Sequence, residues 1–191
     1  MAWQDWFRKG NSKADPDVSP GGSKYIRHGE AKQQIPGFSQ FSTLPYIEKR
    51  EAIYQEMFGP CAYVAEDTFP GLVPHIDVYL HEPGHNGRPF YTLVTGGMSD
   101  MPMTTTEDVP PEVPRRTEII FYLPPDEEPS PEYANFLRTY ARFVYDFETL
   151  LSWGHTIPNG DPPQPLFAGT NFVSVLFCFR FSTPTPSCRS T

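Results

Sequence analysis

From His75 to His81 the chain alternates, with Ile76, Val78 and Leu80 on one side of an extended strand and His75, Asp77, Tyr79 and His81 on the other. Phe90 to Thr95 is a second strand-like run, and Glu82 to Arg88 between them holds enough proline and glycine to turn the chain back as a hairpin. Thr117 to Leu123 (TEIIFYL) predicts a third strand, ended by Pro124-Pro125. Its Ile119, Phe121 and Leu123 oppose Glu118, Ile120 and Tyr122, so at least part of it is covered on both faces. Asn171 to Phe179 predicts a fourth. The polar side of the first strand reads as a partly solvated face.

Two segments follow a helical period instead. The first begins near Thr43, an N-cap residue, with Pro45 in the first turn where its missing N–H costs nothing. Ile47, Tyr54, Met57 and Phe58 form its apolar stripe, and Gly59 followed by Pro60 ends it. The second starts with Ser130 as cap, Pro131 at the first position and Glu132 suited to the dipole. Tyr133, Phe136, Leu137, Tyr140, Val144, Phe147 and Leu151 recur at three- and four-residue steps up to Gly154. Trp153 is expected in the core, and His155, just past the helix, is expected to cap it as an imidazolium. Helix, strands, long helix, strand predicts an α+β fold, with a mixed, largely antiparallel sheet flanked by helices in a single domain.

Residues 1–37 lack a sustained pattern and read as a leader, flexible or peripherally docked; Trp3, Trp6 and Phe7 could form one face of a short helix in it. The domain runs over residues 38–181, and 182–191 form an irregular tail. Prolines number 23 of 191 residues against an average of ~5%, yet aromatics make up 15%, so they punctuate a folded chain rather than a disordered one.

Charge narrows the partners. Fifteen basic against twenty-three acidic residues give a net −8, which argues against a general nucleic-acid binder and suits a basic partner protein. No apolar run approaches the ~20 residues of a membrane span, and the N-terminus lacks the apolar region of a secretory signal. Cys61, Cys178 and Cys188 make neither a disulfide framework nor a zinc knuckle. The expected location is therefore cytoplasmic.

His81-Glu82-Pro83-Gly84-His85 spells H-E-x-x-H, which serves zinc hydrolysis when a helix sets both histidines on one face. Proline inside a helix costs ~3 kcal/mol and glycine about one more, so this copy is a turn. A second metal option takes His75, Asp77 and His81 from one strand face and His85 from the loop, which would make a metal-dependent hydrolase. Against it, ligands on a flat strand stand roughly 6.5 Å apart per two-residue step. Gly96-Gly97-Met98-Ser99-Asp100 leaves a strand; a turn requiring positive φ accounts for both glycines, and Ser99, Asp100 and Met101 would carry any function. There is no nucleophile elbow, no phosphate loop, and no base beside Cys61 in sequence.

HIDVYLHEP, LVTGGMSDMPM, RTEIIFYLP, the long helix and WGHTIPNG together resemble the Suppressor of fused domain, over roughly Phe38 to Phe177. The chain is most similar to the bacterial members and departs from the family after Phe177, where FCFRFSTPTPSCRST does not look like a closing strand. The resemblance implies a non-enzymatic α+β binding domain without cofactor, metal or catalytic residues. The animal relatives clamp an extended peptide between two lobes, of which this chain matches only the N-terminal one. The bacterial relatives include immunity proteins that neutralise polymorphic toxins. The expected partner is thus another protein, a basic toxin domain, met by Asp77, Tyr79, Met98, Ser99, Asp100, Met101, Glu118 and His155.

Overall fold

Strands that alternate and helices with one apolar stripe can hide both faces of a sheet only by placing a helix on each. The computed structural model describes residues 17–18, 24–31, 44–68, 74–105 and 109–178 and adopts that solution. Helix α1 is Leu44–Phe58, followed by strands β1 (Cys61–Ala65), β2 (Asp77–His81), β3 (Tyr91–Gly96) and β4 (Ile120–Leu123). Helix α2 is Pro131–Asp146, and two short strands, β5 (Thr156–Pro158) and β6 (Ser174–Leu176), come after it. The fold is α+β. One sheet has the order β1-β2-β3-β4, antiparallel throughout, and β5 pairs with β6 in a second.

Val78, Leu93 and Leu123 pack on Ala134 and Leu137 of α2. The other face puts Tyr79 and Val94 against Tyr54 and Phe58 of α1. Ile76, Met98 and Met103 join Ala141, Val144 and Leu151 in a third cluster. Leu137 is only 1% exposed, burial worth about 2 kcal/mol. The side of β2 expected to be partly solvated is therefore roofed at its centre: Tyr79 is 3% and His81 1% exposed because α1 lies over them. Arg138 of α2 donates from Nε to the Ile76 carbonyl at 3.0 Å, and Arg142 forms an ion pair with buried Asp67, so the helix also grips the β1–β2 connection.

Helix α2 begins as expected, with Ser130 Oγ accepting the Glu132 N–H at 3.2 Å. It ends earlier. Glu148 turns left-handed at φ 46°, and the Thr149 N–H donates to the Val144 carbonyl at 2.9 Å, the pattern that closes helices usually through glycine. The chain can then drop Leu151 into the core from a loop. Gly154, at φ 80°, serves the turn into β5 instead, so His155 caps no helix, and Trp153 stands 63% exposed rather than in the core. Strands β1 and β5 carry no sequence signal: Cys61, Ala62 and Tyr63 are all exposed, and β5 has three residues. The strand expected over 171–179 is Ser174–Leu176 among the described residues.

The chain divides into two units, residues 1–31 and 32–191. In the first, Val18 bridges Lys24 and an exposed Arg27–Asp17 ion pair spans 3.2 Å. Trp3, Trp6, Phe7, Thr43 and the 182–191 tail lie outside the described residues. No helix among the described residues is long and apolar enough to cross a membrane.

Candidate functional site

The loop after β3 is tied down at nearly every residue. Gly97 sits at φ 115°, where a side chain would drive into the His75 carbonyl oxygen. Gly96 does not need positive φ, contrary to the sequence expectation; a Cβ there would lie 2.5 Å from the Tyr79 ring, so close approach is its reason. Glu118 is the anchor. One of its oxygens accepts the Gly97 N–H at 3.1 Å, the Ser99 N–H at 3.0 Å and the Ser99 hydroxyl at 2.6 Å. The other accepts the Thr95 hydroxyl at 2.7 Å. Burial pushes this carboxyl above its ordinary range, and those donors pull the other way by favouring the charged form.

Further cations and hydroxyls complete the tie. Arg50 of α1 pairs with Asp100 at 3.1 Å, both side chains about nine-tenths buried. Arg116 donates to the Ser99 and Asp100 carbonyls at 2.8 and 2.6 Å. The Tyr145 hydroxyl donates to the Met98 carbonyl and, at 3.1 Å, to that of Met101. Met98 itself is fully buried in the core. Of the residues singled out from sequence, Met98, Ser99, Asp100, Met101 and Glu118 come together here.

Tyr79, Asp77 and His155 serve other neighbours. Tyr79 is buried under α1, its hydroxyl 3.3 Å from Glu51. Asp77 accepts the Asp67 N–H at 2.9 Å and faces His75 Nε2 at 3.1 Å. The His155 ring meets the Leu150 carbonyl at 3.2 Å, while its own carbonyl accepts the Phe177 N–H at 2.9 Å.

The H-E-P-G-H segment caps a helix from outside. Helix α1 has no basic residue in its last turn, and its final carbonyls need donors. His81 Nδ1 donates to the Gly59 carbonyl at 2.9 Å, and His85 Nε2 to that of Glu56 at 3.1 Å. Arg88 donates to the Met57 and Phe58 carbonyls at 3.3 and 2.7 Å, its guanidinium 5.3 Å from the Phe58 ring centre. Burial holds the His81 imidazole below its usual pKa and therefore neutral near pH 7. His75, Asp77, His81 and His85 thus do not converge, and among the described residues no three His, Cys, Asp or Glu side chains are placed to hold a metal ion.

Beside this spent chemistry lies a cavity of about 970 Å³ between β4, α2 and the segment that ends in β6. Phe121, Phe136, Tyr140 and Phe167 form its floor, with Phe136 and Phe167 rings 4.8 Å apart. Met98 and Glu118 reach it from the tied loop. Trp153, Phe172 and Leu176 stand at its mouth, 63%, 74% and 61% exposed. Among the described residues, Glu118 and Glu127 are the charged members of the lining. Sequence reasoning missed this surface. The apolar residues at its mouth come from a turn, a loop and a three-residue strand, none long enough to show a period.

A family model described as Suppressor of fused protein matches residues 73–186, more than half of the chain. No curated protein and no solved structure matches it.

Proposed function

The chain belongs to the Suppressor of fused family, and on that basis we propose that it is a non-enzymatic protein-binding domain whose contact surface is the apolar cavity beside β4. The finer reading is an immunity protein that binds and neutralises a basic toxin domain in the cytoplasm of a bacterium. One observation carries the binding role: Trp153, Phe172 and Leu176, each more than 60% exposed, gather at the mouth of one cavity. Isolated exposed apolar side chains are ordinary, but a contiguous patch on a folded domain marks a docking surface. Aromatic anchors at the centre of such a patch are the residues that dominate protein interfaces.

Polarity supports a protein over a small molecule. Small-ligand sites converge several placed polar groups on an apolar pocket. Here the Glu118 carboxylate is occupied by Gly97, Ser99 and Thr95, which leaves an apolar trough with an acidic margin. The net charge of −8 would speed encounter with a basic protein and make the on-rate fall with salt. In this reading the loop from Met98 to Met101 closes one end of the trough. Asp77, Tyr79 and His155 do not line it, and Tyr79 packs against α1.

A photo-crosslinking residue placed at Phe172 in cells of the native host tests the reading. The expected result is a discrete protein adduct, absent when the same residue replaces Glu132 on the exposed face of α2. Expression of the captured protein alone should arrest growth, and co-expression with this chain should restore it. Equal labelling at both positions would defeat the binding role. A captured protein that is harmless when expressed alone would remove the immunity role and leave the binding role standing.

A further inference from the structure

Resting on the reading of the cavity as a protein-binding surface, we propose that its Glu127 end receives one arginine side chain of the partner. The guanidinium lies on the Tyr133 and Phe167 rings, and the Glu127 carboxylate answers its charge. Strand β4, helix α2 and the loop between β5 and β6 gather the rings. Phe167 is the hub: its ring centre lies 4.8 Å from that of Phe136, 5.0 Å from Tyr133 and 6.2 Å from Phe121. All four residues line the cavity and all four are only partly buried, so the cluster keeps ring surface open. Tyr133 meets Phe167 at 65°, close to edge-on. Such a pairing spends the edge of one ring on one face of the other and leaves further faces, which carry the negative side of the ring quadrupole. Cations are drawn to those faces.

Glu127 supplies the charge. A turn closed by the Glu127 N–H on the Pro124 carbonyl at 3.1 Å brings its side chain to the cluster. There Oε1 accepts the Tyr133 hydroxyl at 2.6 Å. That bond pushes the Tyr133 hydroxyl up to about 12, so the phenol stays neutral and the negative charge stays on Glu127. Glu127 is exposed and forms no ion pair among the described residues, and exposed Asp126 and Glu128 on either side add to the same field. Glu118 precedes β4 where Glu127 follows it, and its carboxylate is already held by four donors within the fold. A cation is therefore favoured at one end. Arginine suits that end better than lysine. Its planar guanidinium stacks on a ring while its fork reaches a carboxylate, and it is more weakly hydrated than an ammonium.

The test uses the full chain with isotope-labelled tyrosine and phenylalanine rings. It is titrated with blocked Gly-Arg-Gly, Gly-Lys-Gly and Gly-citrulline-Gly peptides, and with tetramethylammonium. The arginine peptide should give saturable shifts of the Tyr133 and Phe167 rings, the lysine peptide should bind about tenfold more weakly, and neutral citrulline should not bind. Glu127→Gln, and Phe167→Leu, which keeps an apolar side chain but removes the ring, should each weaken the arginine peptide about tenfold. Glu128→Gln, one residue away and outside the lining, should leave it unchanged. Citrulline binding as tightly as arginine would overturn the role of charge, and equal losses from Glu127→Gln and Glu128→Gln would reduce that role to net charge. Lysine or tetramethylammonium matching arginine would overturn the guanidinium in favour of any cation. Binding seen only in Arg180→Gln would put the chain's own arginine in the pocket in place of a partner's. Failure of the arginine peptide to bind either the parent or Arg180→Gln would refute the pocket. With the Phe172 adduct still formed in cells, each of those results removes the partner's arginine and keeps the docking surface. Loss of the discrete adduct with the arginine peptide still bound would remove the partner and leave a cation pocket.

Discussion

The loop from Gly96 to Asp100 and the cavity beside β4 are neighbours built on opposite principles. The loop concentrates the residues that suggest chemistry, and the fold consumes them. Glu118 is taken up by Gly97, Ser99 and Thr95, and Asp100 by Arg50. The cavity leaves the aromatic side chains of Trp153 and Phe172 uncovered. Buried polar groups must be satisfied internally, because each one left open costs about 1–3 kcal/mol. A dense polar cluster next to a core is therefore first a structural device, and a partner meets whatever the fold has not covered.

The comparison breaks most sharply at Gly97. Its φ of 115° and the His75 carbonyl behind it exclude a Cβ on both counts. Gly97→Ala should cost about 4 kcal/mol, measured by urea unfolding at equilibrium. A loss below about 1 kcal/mol would mean that the loop is free to move, and the contrast with the cavity would fail.

Glu118→Ala comes next. It strips the Gly97 and Ser99 N–H groups and two hydroxyls of their acceptor at once. A loss of roughly 3 kcal/mol is expected, with faster amide exchange at Gly97 and Ser99. Ser99→Ala, which removes one of those donors and leaves the carboxylate three others, should cost about 1 kcal/mol. Equal losses for the two variants would show that the carboxylate does not organise the loop.

The hairpin of β2 and β3, the stripe of α1 and the capped start of α2 were legible because period and cap chemistry act within a few residues. The roles of His81, His85 and Arg88 were not. Their acceptors are carbonyls at the end of α1 and just past it, more than twenty residues away, and only the packing of that helix on the sheet brings them together. The end of α2 was misjudged for a related reason: Glu148 takes the left-handed position that glycine normally signals. Family resemblance located the loop and the strands around it. It did not reveal that Glu118 faces inward, since alternation places that residue on a face without saying what covers it.

A smaller effect separates capping from metal binding at His81. Burial lowers its folded pKa, while in the unfolded chain it takes a proton near pH 6.5. The unfolded state then binds more protons below that pH, so the stability from neutral His81 is full above about pH 6.5 and is lost as pH falls through the folded value. His81→Asn keeps an N–H for the Gly59 carbonyl and removes the titration. Its unfolding free energy should fall less steeply than the parent's between pH 7 and 5; identical slopes would mean that His81 is solvated.

The smallest change in stability belongs to the cavity, and it is the sharpest test of the comparison. Trp153 and Phe172 already give most of their surface to water, so folding gains little from them. Trp153→Ser and Phe172→Ser should each alter the unfolding free energy by no more than about 0.5 kcal/mol. The same changes should weaken partner capture at least tenfold, because an aromatic anchor contributes its area only when a partner covers it. A large loss of stability with unchanged capture would reverse the assignment, making the cavity mouth part of the core. Small stability changes with lost capture would locate binding where the fold spends least on itself.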